Sequence, residues 1–134
     1  MPARVPNTLI DMHNLATIYD KLARYEEAEP VYLKTIRGKS KVLGGAHPST
    51  IRTVRRLAEM YQKQKRYDKA EAQLLGAWDV LSATAGSDAT ALVNRSTTSA
   101  AVSAQLGNLY DAWGRPAKAA EWRRKVPADA PARG

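Results

Sequence analysis

Residues 23–32 read ARYEEAEPVY and residues 65–74 read KRYDKAEAQL, so Arg-Tyr, an acidic residue and Ala-Glu recur at a spacing of 42. The register extends well beyond that phrase. Leu15-Ala16 falls on Leu57-Ala58, Tyr19 on Tyr61, and the lead-in residues Pro6 and Thr8 on Pro48 and Thr50. A looser third copy follows at a further 49 residues, with Leu106-Gly107, Tyr110, Arg115 and Ala119 standing for Leu57-Ala58, Tyr61, Arg66 and Ala70. A period of this size narrows the fold sharply. Such a unit cannot bury an apolar face alone, so the units must stack on one another.

Within the unit the apolar residues follow helical spacing. Val54, Leu57, Ala58 and Tyr61 step i, i+3, i+4, i+7, and after the polar turn QKQKR a second stripe runs through Tyr67, Ala70, Leu74, Ala77 and Leu81. The first unit repeats this with Met12, Leu15, Ala16 and Tyr19, then Tyr25, Ala28, Tyr32, Ile36 and Leu43. LGGAHPST at 43–50 supplies glycines to end one helix, then Pro and Ser/Thr to start the next. Pro30 early in a helix removes one backbone donor, so a mild kink is expected there. Ala16, Ala58 and Gly107, matched by Ala28, Ala70 and Ala119, leave room for close helix contact.

The expectation is an all-α fold: an α-solenoid of three antiparallel helix pairs, with repeats at about 6–46, 48–86 and 88–126 in one domain, 1–126, and a disordered tail at 127–134. The surplus of seven residues before the third unit falls in SATAGSDATALVNRSTTSA and equals about two helical turns. An elongated helix beginning near Asp88 accounts for it. Trp113 and Trp122 read as ordinary packing residues; alternatively Trp122, beside Arg123, Arg124 and Lys125, covers the C-terminal end of the stack, where EWRRK suits a polar cap.

The pattern Leu-Gly/Ala-x-x-Tyr with a downstream Ala, met in all three units, resembles the tetratricopeptide repeat family. The period of 42, the phrase RYEEAEP and the linker LGGAHPST are similar to its kinesin-light-chain type. The resemblance spans about residues 6–126 and departs from the pattern in the third unit, where Pro116 replaces the Tyr and Ala120 the Glu. It implies a right-handed superhelix and a protein-binding scaffold. It also implies that Asn14, just before Leu15-Ala16, can bind a peptide backbone, a position taken by Arg56 and Gln105 in the other units.

Chemistry of other kinds finds little support. His13 and His47 stand 34 residues apart with no Cys anywhere, so no metal or other cofactor is expected. Gly38-Lys39-Ser40 imitates the end of a phosphate-binding loop, but Leu33 occupies the position of the required first Gly. No nucleophile–base–acid set stands out, and no catalytic residue is assigned. The N-terminus lacks an apolar signal core and no run approaches the ~20 residues of a membrane span, which points to a cytoplasmic protein.

The formal net charge is +8, which attracts acidic peptides, nucleic acid or anionic lipid without choosing among them. In a stack of helix pairs the first helices line the concave side. Their groove-facing stripe reads Arg52, Arg55, Arg56, Glu59, Gln62 and Lys63 in the second unit. It reads Ile10, His13, Asn14, Thr17, Asp20 and Lys21 in the first, and Ala101, Ala104, Gln105, Asn108, Asp111 and Ala112 in the third. The candidate peptide-binding residues are therefore Asn14, Thr17, Arg52, Arg55, Arg56, Glu59, Gln62, Lys63, Gln105 and Asn108. The groove is expected to be basic at its centre, suiting an acidic segment of a protein or peptide partner. The bland alternative is that Arg55, Glu59 and Lys63, spaced i, i+4, i+8, satisfy one another on a solvated face. RNA binding is disfavoured because no Tyr or Trp maps to the groove stripe. Leu9, Ile10 and Met12, with nothing before them, mark the first helix as a self-association face or as the edge of a longer array.

Overall fold

Six helices follow one another in the computed structural model, which describes residues 7–83 and 89–125. They are α1 (Asn7–Lys21), α2 (Tyr25–Leu43), α3 (Pro48–Lys63), α4 (Tyr67–Ala83), α5 (Ala89–Ala112) and α6 (Pro116–Arg123). Each odd-numbered helix packs along the even one after it, and α2 and α4 in turn pack on the next pair. The first helices stand side by side, α3 touching α1 on one flank and α5 on the other. This is an all-helical, tetratricopeptide-like solenoid. No described helix is long and apolar enough to cross a membrane.

The turn inside each pair is built the same way three times. Arg24, Arg66 and Arg115 donate their backbone N–H to the carbonyls of Tyr19, Tyr61 and Tyr110 at 2.8, 2.8 and 2.7 Å. The residue before each arginine enters the left-handed region: Ala23 (φ 61°), Lys65 (φ 62°) and Gly114 (φ 78°). One pattern of backbone closure thus ends the first helix of each pair. The link between pairs differs. Gly44 leaves α2 at φ 100° with its N–H on the Ser40 carbonyl. The Thr50 hydroxyl then donates to the Gly44 carbonyl at 2.9 Å. The cap of α3 is His47, whose Nδ1 accepts from the Ser49 N–H at 3.0 Å, with Pro48 in the first turn. Ser and Thr were expected in that role; histidine fills it because its ring nitrogen reaches the same orphan donor.

Small residues let the backbones approach: Ala16, Ala28, Ala70 and Ala119 have no exposed surface. Between them sit Leu57, Leu74, Leu106, Leu109 and Tyr32, all fully buried. Gly38 belongs to the same packing. A Cβ there would come within 2.5 Å of Leu9 Cδ2, so Gly38 lets α1 seat on α2. Pro30 lies within α2 without ending it.

Two expectations are corrected. Leu15, assigned to the core stripe of the first unit, is 41% exposed, and Leu9, assigned to the uncovered face, is buried at 7%. The core side of α1 is carried by Leu9, Ala16 and Asp20. The reason is context, since among the described residues no helix lies against this side of α1 to cover Leu15. The long third-unit helix is seen as α5, of 24 residues. A start near Asp88 and the tail at 127–134 lie outside the described residues.

Candidate functional site

The inner surfaces of α1, α3 and α5 carry short and charged side chains, and two hollows open along them. The first, of about 380 Å³, lies between α1 and α3 and is lined by His13, Asn14, Thr17, Asp20 and Lys21 from one side. Arg56, Glu59 and Lys63 line it from the other, with Tyr32 of α2 beneath. The second, of about 480 Å³, lies between α3 and α5, with Glu59, Gln62 and Lys63 facing Gln105, Asn108 and Ala112 and Tyr67 at one end. Glu59 and Lys63 border both hollows, so the two form one polar trough.

Of the expected residues, Asn14, Thr17, Arg56, Glu59, Gln62, Lys63, Gln105 and Asn108 line this trough. Arg52 and Arg55 do not line either hollow. Arg55 is turned along the α3–α5 seam, where its Nε donates to Gln105 Oε1 at 2.8 Å and Gln105 Nε2 donates back to the Arg55 carbonyl at 2.9 Å. That exchange leaves Gln105 buried and its amide largely committed to the fold. Asn14 and Asn108 are exposed, and Asn108 Oδ1 accepts from Arg123 at 3.0 Å.

The charges pair differently from the i, i+4, i+8 ladder. Lys63 reaches across to α1 and donates to Asp20 Oδ1 at 2.6 Å, while the Tyr32 hydroxyl donates to Asp20 Oδ2 at 3.1 Å. Asp20 is thus held by two helices and is itself nearly buried. Arg56 pairs with Glu59 at 3.5 Å, both well exposed, an arrangement of small energetic weight. The centre of the trough is therefore close to neutral, against the expectation that it is basic there.

The unbalanced positive charge lies instead beside the start of α3. Lys39 is buried, with Nζ 3.1 Å from Thr53 Oγ1 and 3.4 Å from the Ser49 carbonyl, and no acid among the described residues accompanies it. Burial, with the charge of Arg52, holds its pKa below the usual lysine range. His13 Nδ1 lies 3.0 Å from the same Thr53 hydroxyl. Burial and the charges of Lys39, Arg52 and Arg56 bring the His13 pKa down to about 4. Arg52, exposed at the rim, has no acidic partner among the described residues. An anionic group reaching this corner would meet three cationic side chains and a neutral imidazole.

Two aromatic residues at the trough were missed at the sequence level. Tyr32 is fully buried and acts through its hydroxyl, while half-buried Tyr67 stacks on Trp113 at 5.7 Å and lines the second hollow. Both come from second helices, whereas the groove stripe was drawn on first helices alone. The recurrent Arg-Tyr phrase was the available signal for Tyr67. Among the described residues no cluster of three His, Cys, Asp or Glu side chains is placed to hold a metal.

The family model described as tetratricopeptide repeat matches residues 7–83, the span of the first two helix pairs. No curated protein matches the chain in sequence.

Proposed function

The chain belongs to the tetratricopeptide repeat family, and from that premise we propose that it is a scaffold whose trough holds an extended acidic segment of a protein partner. Repeats of this family act by binding other proteins rather than by catalysis. The observation that carries the finer reading is the charge imbalance at the α1–α3 corner, where Lys39, Arg52 and Arg56 surround His13 with one exposed acid, Glu59, in reach. A carboxylate from the ligand would exchange with Glu59 on Arg56 and pair with Arg52, a planar fork suited to two parallel hydrogen bonds. Further along, the amides of exposed Asn14 and half-buried Gln62 offer donors and acceptors to a ligand backbone. The period of 42 and the linker at 43–50 favour the kinesin-light-chain type of the repeat.

The test is fluorescence anisotropy with a short labelled peptide of alternating Glu and Leu, and its Lys–Leu counterpart as control. Arg52→Glu with Arg56→Glu is expected to weaken binding of the acidic peptide roughly tenfold or more, the loss of at least one charged hydrogen bond. Unchanged affinity in that variant would remove the corner from the binding site. Preference for a single-stranded RNA probe over both peptides would point to nucleic acid instead.

A further inference from the structure

Two seams of the stack hold equivalent places and are filled differently. Where α4 meets α5, the repeat sets Leu81 and Val102, both buried and apolar. The same positions where α2 meets α3 are Lys39 and Thr53, also buried, with Lys39 Nζ 3.1 Å from Thr53 Oγ1. Beside them Arg52 and Arg56 stand where α5 has Ala101 and Gln105. One seam thus gathers three cations at positions whose copies carry no charge. Packing does not call for them. A buried amine without an acid gives up its hydration uncompensated, and a leucine in the same place, as the copy shows, fills the space without that cost.

The acids of these helices leave most of that charge standing. Asp20 is taken by Lys63 and Tyr32, and Glu29 by Tyr61 and Arg66. Glu26 and Glu27 lie at the far end of α2, more than three turns from Lys39. Asp11, two positions before His13, projects from another side of α1. Glu59, held by Arg56, is the one acid of α3, and MPARVP, the stretch leading into α1, holds none. Arg52 and Arg56, both exposed and spaced i, i+4, project side by side. Behind them Thr53 joins His13 to Lys39. Three cations facing Glu59 alone leave a surplus of two charges. One carboxylate balances half of it. A phosphate monoester, with a charge of about −1.5 to −2 near neutral pH, balances nearly all of it.

Taking the trough as the binding surface, on which this rests, we propose that the α1–α3 corner is a subsite for a phosphorylated serine or threonine of the partner segment. Arg52 and Arg56 bind the phosphoryl oxygens, and Lys39 adds its charge from beneath. Three oxygens in place of a carboxylate's two engage both guanidinium forks at once and release Arg56 from Glu59. Thr53 has one hydrogen of its own to give. Directed to His13 Nδ1, it leaves the ring proton on Nε2, a further and uncharged donor at the hollow that His13 lines.

Fluorescence anisotropy near neutral pH and at physiological salt tests this with three labelled peptides of one Glu–Leu sequence. Their central residue is serine, phosphoserine or glutamate. The phosphoserine peptide is expected to bind roughly tenfold tighter than either of the others. Lys39→Leu, which borrows the residue of the copy, is expected to keep the far-ultraviolet circular dichroism of the parent and to narrow that gap. Arg52→Ala with Arg56→Gln, borrowed from α5 at exposed positions, is expected to abolish it, and decides the matter if Lys39→Leu loses helix. Arg37→Glu, on the α2 surface outside the trough, lowers the net charge by as much and is expected to preserve the gap. A phosphoserine peptide that binds no tighter than its glutamate form overturns the proposal and leaves the acidic-segment reading standing. Failure of all three peptides overturns both. A gap that survives the arginine variant overturns the proposal as well. So does inorganic phosphate that binds as tightly as the phosphoserine peptide, since it assigns the corner to a free anion; far weaker competition is expected.

Discussion

Tyr61 on α3 donates its hydroxyl hydrogen to Glu29 on α2 at 2.7 Å, and one repeat later Tyr110 on α5 does the same to Glu71 on α4 at 2.6 Å. The Glu of the recurrent Ala-Glu phrase is therefore the clasp between consecutive helix pairs. Arg66 strengthens the first clasp, donating to Glu29 at 3.2 Å while lying over the Tyr61 ring at 5.0 Å. Three recurrent residue types thus meet in one place: Tyr, Arg and Glu. Tyr61→Phe, which leaves Arg66 on Glu29, is expected to cost about 1 kcal/mol, and Glu29→Ala, which strands the half-buried hydroxyl and guanidinium, about 1–3 kcal/mol. Urea titration at constant slope reads both.

The same clasp gives the stability an acid limit. Burial pushes the Glu29 carboxyl up, but bonds from Tyr61 and Arg66 and the charges of Arg66 and Lys69 outweigh it and hold the pKa below the ordinary 4.5. The unfolded chain then binds more protons in that interval. The contribution is complete above pH 4.5 and is lost as pH falls through the lower folded value. Glu29→Gln is expected to flatten this limb of the stability–pH curve, while the parent chain shows it.

At the alkaline end the sign reverses. Burial, then the acids Asp20, Glu29 and Glu71, push Tyr32, Tyr61 and Tyr110 above the ordinary tyrosine value of 10.0. The folded state keeps protons that the unfolded chain gives up, so stability is full below pH 10 and declines as pH rises beyond it. Spectrophotometric titration at 295 nm is expected to show three of the six tyrosines ionising late, and only on unfolding. Ordinary titration of Tyr32, Tyr61 and Tyr110 in the folded chain would remove this account.

The turns carry a correctable cost. Ala23 and Lys65 hold the left-handed conformation that Gly114 occupies in the third unit. A non-glycine residue pays roughly 1–2 kcal/mol there, partly offset by the backbone entropy that glycine loses on folding. Among the described residues the exposed Lys65 side chain has no hydrogen-bond or ion-pair partner to forfeit. Lys65→Gly is expected to gain about 0.5–1 kcal/mol, a rise of a few degrees in Tm. Lys65→Val, branched at Cβ, is expected to lower it.

Much of this architecture is legible in the chain because it is periodic. Leu57, Ala58 and Tyr61 announce a helix by spacing and a stack by recurrence, and the trough-lining positions follow by register alone. What spacing cannot supply is context. Leu15 and Leu57 hold the same place in the repeated Leu-Ala-x-x-Tyr phrase, yet one is exposed and the other buried, because burial depends on the helices packed against them. Charge pairing escapes for a related reason: Lys63 finds Asp20, 43 positions away on another helix, in preference to Glu59 on its own. His47 as a cap and Tyr67 at the trough are likewise set by three-dimensional reach and not by residue preference.

His13 offers a reporter for the trough that works before any partner is known. Its ring is kept neutral by burial and by Lys39, Arg52 and Arg56, with a pKa of about 4 against the ordinary 6.5. Because the folded chain resists protonating it, this contribution to stability is complete above pH 6.5 and drains away as pH falls from there to about 4. An acidic ligand seated against Arg52 and Arg56 brings negative charge toward the ring and screens the cations that depress it, so the His13 pKa must rise on binding. By linkage, the same ligand binds more tightly as pH is lowered through that interval, until its own carboxylates protonate. Nuclear magnetic resonance of the ring protons, titrated with and without the Glu–Leu peptide, measures this directly. His13→Gln separates its resonance from that of His47, the other histidine of the chain. An upward shift places the ligand's charge at the α1–α3 corner. A His13 titration that the bound peptide leaves unmoved places the ligand elsewhere, however tightly it binds.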